Sequence, residues 1–304
     1  MKSVGDIRML RRDPGFPLSY WNDRCAYLEG RIATQWNIAK GDDVDRGYLP
    51  QYVFDIAVKH LSLMLLKYSR GDEKEQILPL LAGLIDAWEQ ANLLGETVWT
   101  DEERRLRNAW RESLDAYNNA FNIVGFALLL GATDDQWRRL LRLVGNEGED
   151  ALLDRVIASR QPGRRIGGQL CHPQAYMSLL AVTMAEESAR SEGLASYVDG
   201  WFASLENAGP STLPRSFRTP WWWTACKDPT LAAKGAYLGC WCVEAAAVAK
   251  VFAIDDRAVL AHPHYPGDLI EGGRSPRYPD VEVPAVSGQR PGRLGWLRRW
   301  AGRL

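Results

Sequence analysis

The residue types best suited to metal chemistry lie in the last third of the chain. Cys240 and Cys242 stand two positions apart, and His262 and His264 repeat that spacing. Thiolates and imidazoles are the ligands that zinc prefers, but structural zinc sites use wider spacings. We expect both cysteines to lie on one helix, where residues two apart point about 200° away from each other. The sequence therefore predicts neither a metal site nor a bound cofactor.

Signatures of covalent catalysis and of phosphate binding are missing from the sequence. It contains no Gly-x-Ser-x-Gly motif for a nucleophilic serine. Residues 163–168 lack the lysine and the following Ser or Thr of a phosphate-binding loop, so we expect their arginines to lie in a solvated turn. Adjacent aspartates at 42–43, 134–135 and 255–256 have no spacing that defines a catalytic set. The sequence predicts a non-enzymatic protein, with a hydrolase built on Glu244 as the weakest alternative.

One long helix is predicted from Asp228 to about Phe252, and it would carry the most unusual side chains. Tyr237, Trp241 and Glu244 are spaced four and three residues apart, which places them on one helical face. A carboxylate among aromatics needs a charged or hydrogen-bonding partner if it is buried. The expected partners are Lys227, Arg218, an indole N–H from residues 221–223, and Tyr265. The alternative is that Glu244 lies at the rim of the helix and faces solvent.

Helical periodicity dominates the remainder of the chain. Apolar residues recur every three or four positions over 52–68 and again over 77–88. Thr100 and Thr133 are each followed three residues later by Glu or Gln, which is typical of a capping box. The first of these opens a helix that we expect to carry apolar residues as far as Val124. The prediction is an all-α, bundle-like fold of two packed helical lobes, followed by an irregular Pro/Gly-rich C-terminal region.

The formal net charge of the 304 residues, −1 at pH 7, conceals an asymmetry. Residues 285–304 contain five arginines and no acid, which leaves −6 for the rest of the chain. An acidic body is poorly suited to nucleic acid, but it suits a basic protein partner. The five scattered cysteines predict reduced thiols, and the absence of an apolar N-terminal region predicts a cytoplasmic protein. No apolar cluster is long enough to span a bilayer.

The motif that identifies a family runs Tyr237-Leu-Gly239-Cys-Trp241-Cys-Val-Glu244-Ala-Ala-Ala, with Tyr-Pro-Gly-Asp268-Leu further on. It resembles the C-terminal signature of the PoNi family, bacterial immunity proteins that neutralise polymorphic nuclease toxins. The family usually has Tyr-x-Gly-Tyr-Trp-x-Phe-Glu-Ala-Ala-Ala, so this chain departs from it with a cysteine at 240 and a valine at 243. In the other half, Tyr68-Ser-Arg-Gly resembles the Tyr-Ser-x-Gly turn of the family's N-terminal module.

The resemblance implies two helical modules, over residues 5–130 and 150–275, with a Pro/Arg-rich tail at 276–304. It also implies a non-enzymatic inhibitor that binds a cognate DNase delivered by type VI secretion and occludes its active site. A scaffold that loads an effector for secretion is the alternative, and homo-oligomerisation is left open. The motif positions expected to maintain the fold are Tyr68, Gly71, Tyr237, Gly239, Trp241, Glu244 and Asp268. The candidate partner-binding residues are Asp42, Asp43, Asp134, Asp135, Trp221 and Trp222.

Overall fold

The computed structural model describes residues 10–41, 44–228 and 235–280, and in these residues the fold is all-α. An isolated antiparallel bridge between Arg11 and Tyr278 is the one β-type pairing of this part of the chain. No helix in the described ranges is both long and apolar enough to cross a membrane. The helices are α1 (Leu18–Ala39), α2 (Leu49–Arg70), α3 (Lys74–Gly95), α4 (Asp101–Leu106), α5 (Leu114–Leu129), α6 (Asp134–Val144), α7 (Leu153–Ala158), α8 (Pro173–Met184), α9 (Glu187–Ser204), α10 (Trp221–Lys227) and α11 (Val243–Val251).

The three long N-terminal helices pack side by side, with α2 between α1 and α3. Helix α2 ends at Gly71, whose φ of 111° lies in the left-handed region that glycine enters without strain. A side chain there would place its Cβ 2.2 Å from the carbonyl oxygen of Leu10. The N-terminal segment therefore crosses directly over the end of α2, because a glycine leaves room for its backbone.

The capping boxes predicted at Thr100 and Thr133 are both present, and they open α4 and α6. The helix expected to continue from Thr100 to Val124 is wrong, because α4 ends at Leu106 and α5 begins only at Leu114. Ser113 causes the second start, since its hydroxyl accepts a hydrogen bond from the amide of Ala116. Trp110, which lies between the two helices, is fully buried and continues the apolar pattern across the break, whereas α4 itself buries no residue.

Helices α5 and α11 form the centre of the core. Residues 245–249 of α11 are at most 1% exposed, and their alanine side chains allow close approach. Gly125 of α5 meets this helix so closely that an added Cβ would lie 2.8 Å from Val243. A single hydrophobic cluster extends from Trp21 to Leu269. Both halves of the sequence therefore contribute to one core.

The long helix predicted over 228–252 is wrong over residues 235–242, and residues 229–234 lie outside the described part of the chain. Residues 236–242 form neither helix nor strand, and α11 begins at Val243. Gly239 has a φ of 94°, which a helix cannot accommodate. Tyr237, Trp241 and Glu244 therefore do not share a helical face. The predicted tail falls mostly on 281–304, which lies outside the described residues.

Candidate functional site

The motif residues from the two halves of the chain meet at one buried polar cluster. Tyr68 and Ser69 come from the last turn of α2, and Gly239 and Trp241 come from the non-helical segment before α11. Asp268 lies on a single 3₁₀ turn, 267–269. We call these five residues the motif hub.

Asp268 is the charged centre of the motif hub. Its carboxylate accepts hydrogen bonds from the Tyr68 hydroxyl at 2.6 Å, from Arg12 Nε at 2.7 Å and from Arg277 Nη2 at 2.9 Å. The Arg12 guanidinium also lies 4.3 Å from the centre of the Tyr68 ring. Burial raises the pKa of Asp268, but the two guanidiniums and the tyrosine together hold that pKa below its usual value. The ionised form of Asp268 thus ties the N-terminal segment, α2 and the C-terminal segment together.

Gly239 and Ser69 form the second half of the motif hub. The Trp241 indole donates to the Ser69 hydroxyl at 2.7 Å, and this hydroxyl in turn lies 2.8 Å from the Leu238 carbonyl and 2.9 Å from the Leu65 carbonyl, its two possible acceptors. A Cβ at position 239 would lie 2.0 Å from Ser69 Oγ. Glycine is required here both by its positive φ and by this close approach.

Tyr237 holds the beginning of the same non-helical segment against the N-terminal part of the chain. Its hydroxyl donates to Asp13 at 2.6 Å, and its carbonyl accepts from the Tyr20 hydroxyl at 2.9 Å. Burial raises the pKa of Asp13, although the hydrogen bond from Tyr237 opposes this shift. The first aromatic residue of the C-terminal motif therefore makes internal contacts that span more than 200 positions.

Glu244 is completely buried, so the alternative location at a solvent-facing rim is wrong. Its Oε1 accepts hydrogen bonds from Trp201 Nε1 at 2.7 Å and from the Tyr197 hydroxyl at 3.4 Å. Both donors lie on α9, and neither is among the partners expected from the sequence. Oε2 has no hydrogen-bond partner in the described part of the chain. Burial without a neighbouring cation raises the pKa of Glu244 to about 7.

Cys240, where the family usually has an aromatic residue, forms a disulfide with Cys226. The expectation that all five thiols are reduced is therefore wrong in this structure. The bond joins α10 to the non-helical segment before α11, a pairing that sequence spacing does not reveal. It also removes Cys240 from metal ligation, and no group of three or more His, Cys, Asp or Glu in the described ranges could hold a metal ion.

The arginines of the 163–168 segment were both expected in a solvated turn, and this is wrong for Arg164. Its side chain is 3% exposed and pairs with the fully buried Asp154 at 2.8 Å. Arg165 is exposed, as expected. The sequence also gave no reason to single out Arg12, Arg277 or Trp201. To predict their roles, one would have to know which distant segments of the chain come together.

Two family models match this chain, and together they account for most of its length. The model for the N-terminal part of PoNe immunity proteins (PoNi) matches residues 19–142, and the model for their C-terminal part matches residues 148–269. The chain belongs to the PoNi family. The motif hub of this PoNi chain takes Tyr68 and Ser69 from the first matched region and the remaining three residues from the second.

The fold of this PoNi chain is similar to the crystal structure of protein PA2201 from Pseudomonas aeruginosa. The TM-score is 0.63 at 18% sequence identity, over 88% of this chain and 91% of the other. At this identity the likeness concerns the fold alone. No curated protein gives a significant sequence match.

The candidate partner-binding residues occupy different environments in this PoNi chain. Asp134 and Asp135 are exposed at the start of α6, but each pairs with an arginine, Arg160 and Arg138 respectively. Trp221 is 48% exposed. Trp222 is half-buried, stacks on Trp201 and donates to Asn118. Asp42 and Asp43 lie outside the described residues.

Proposed function

We propose that this chain is an immunity protein that binds a secreted nuclease toxin, a DNase, and blocks its active site with an acidic surface. Membership of the PoNi family, matched over both halves of the chain, is the observation that carries this proposal. The toxin would be one delivered between competing bacteria by type VI secretion. The immunity protein would meet it in the cytoplasm of the producing cell and its kin.

We locate the proposed acidic surface on α9 and the turn before it. Four carboxylates there are exposed, and none pairs with a Lys or Arg of the described ranges, although Asp199 lies 3.9 Å from His262. They are Glu186, Glu187, Glu192 and Asp199, which we call the α9 acidic surface. Glu192 and Asp199 are seven residues apart, so they lie on the same face of the helix.

Two exposed methionines lie on the neighbouring helix. Met177 and Met184 of α8 are 55% and 63% exposed, and α8 packs directly against α9. Methionine adapts its shape to a partner, and unpaired carboxylates attract the basic cleft that a DNase uses to bind phosphates. The combination suits fast, salt-sensitive association with such an enzyme.

The decisive experiment combines protection and inhibition. Cells that express the nuclease domain encoded beside this chain should survive when they also express the chain, and the purified pair should form a 1:1 complex that no longer degrades plasmid DNA. If cells carrying the chain die as fast as cells without it, the proposed function is wrong. A complex in which the nuclease stays active would instead indicate the adaptor role.

The location of the surface has its own test. Changing Glu192→Lys and Asp199→Lys together should weaken binding by at least tenfold, because two attractive charges become repulsive. The matched control is Asp23→Lys with Glu271→Lys, which makes the same change of net charge at exposed positions elsewhere. Equal weakening by both pairs would refute the α9 location and leave the immunity function standing.

A further inference from the structure

A groove of about 630 Å³ lies between α6 and the loop that follows α7. Its walls are rich in one residue type, since five arginines line it together with Trp137, Gln161 and Glu147. We call it the arginine groove. The five arginines are Arg138, Arg142, Arg160, Arg164 and Arg165.

Two of these arginines are firmly held and shape the groove. Arg164 is buried against Asp154 and also donates to the carbonyl of Gly145 at 2.8 Å. Arg160 donates to Asp134 at 2.7 Å, and its guanidinium lies 5.2 Å from the centre of the Trp137 ring. Their charges are largely compensated by these carboxylates, so they position the walls of the groove.

Two other arginines retain unused capacity for an anion. No carboxylate of a described residue lies within 4.0 Å of the Arg165 guanidinium, which donates only to the backbone carbonyl of Glu147 at 2.7 Å. Arg142 is 62% exposed, and its nearest carboxylate is that of Glu89 at 3.7 Å. Arg139 already engages that carboxylate at 2.6 Å. The two sides of the groove thus each offer a guanidinium that can form a new charge-assisted pair.

The surroundings favour separate carboxylates over a continuous phosphate chain. Asp134 and Asp135 flank the groove and Glu147 lines it, so a polyphosphate backbone would meet repulsion between its contacts. We propose that the arginine groove binds an acidic segment of a partner protein, whose carboxylates pair with Arg142 and Arg165. This proposal does not depend on the immunity function.

Isothermal titration of the full chain with a capped hexaglutamate peptide at low salt tests the proposal. We expect 1:1 binding that weakens as salt increases. Arg142→Gln with Arg165→Gln should weaken it at least tenfold, because the two guanidiniums proposed to pair with the peptide are lost. The control Arg31→Gln with Arg257→Gln removes the same charge from exposed positions outside the groove and should change affinity less than twofold. Melting temperatures of both pairs establish that the variants are folded.

Three outcomes would overturn the proposal. The peptide could fail to bind, or the two variant pairs could weaken binding equally, which would reveal only a general charge effect. A 12-base-pair DNA duplex could bind more tightly than the peptide and lose its binding in the Arg142 and Arg165 variant. In that case the groove would recognise phosphates and not a protein segment.

Discussion

Replacing Glu244 with glutamine should change how the stability of the protein depends on pH. The wild-type carboxyl is fully buried, and its pKa rises from 4.5 to about 7 because no cation compensates its burial. The folded protein therefore holds a proton on Glu244 at pH values where the unfolded chain has lost it. Stability from this group is fully present below pH 4.5 and is lost as the pH rises through about 7.

The size of the effect follows from the linkage of proton binding to folding. A pKa that moves from 4.5 to about 7 corresponds to a loss of about 3 kcal/mol of unfolding free energy between pH 4.5 and pH 8. Glutamine keeps the acceptor for Trp201 and cannot ionise. Its amide group is buried without a partner of its own, which lowers stability by about 1–3 kcal/mol at every pH. The pH-dependent part is therefore the reliable signal.

Urea denaturation of wild type and Glu244→Gln at several pH values between 4.5 and 8 measures this signal. Relative to wild type, the variant should gain about 3 kcal/mol on going from the lowest to the highest pH. Glu192→Gln, at an exposed position, is the control and should show no such gain. If the stability difference between Glu244→Gln and wild type stays constant with pH, the inference of an uncompensated buried carboxyl is refuted. A hydrolase built on Glu244 would instead lose activity without this change in stability.

Three further changes test the motif hub and the disulfide. Gly239→Ala should destabilise the protein by about 2–4 kcal/mol, measured by thermal melting, because its Cβ would overlap Ser69 Oγ and the residue has a positive φ. Asp268→Asn should lower the free energy of unfolding by about 3–5 kcal/mol, because it leaves Arg12 buried beside a neutral group. The lowered pKa of Asp268 gives stability that is lost as the pH falls below 3.8, so the variant should also lose less stability in acid than wild type does. Cys226→Ser should lower the free energy of unfolding of the oxidised protein by about 3 kcal/mol. For wild type, mass spectrometry after alkylation in living cells should find five free thiols if the protein resides in a reducing cytoplasm, and three if the disulfide forms there.

Local signals in the sequence were reliable where the cause of the structure is itself local. The capping boxes at Thr100 and Thr133 depend on residues three positions apart, and both are present. Gly71 ends α2 through its own backbone conformation. The helix predicted over 228–252 is wrong over residues 235–242, because side chains there are held by distant partners such as Ser69, and periodicity cannot reveal the break at Gly239.

The sequence by itself determined the all-α class, the main helices and the family, because periodicity, capping residues and a short motif are properties of neighbouring positions. Only the tertiary structure decided what the motif residues do. Tyr68 and Asp268 are 200 positions apart and Trp201 and Glu244 are 43 apart, yet each pair shares a hydrogen bond. Which partners a buried polar side chain finds depends on how whole helices pack, and no local pattern records that.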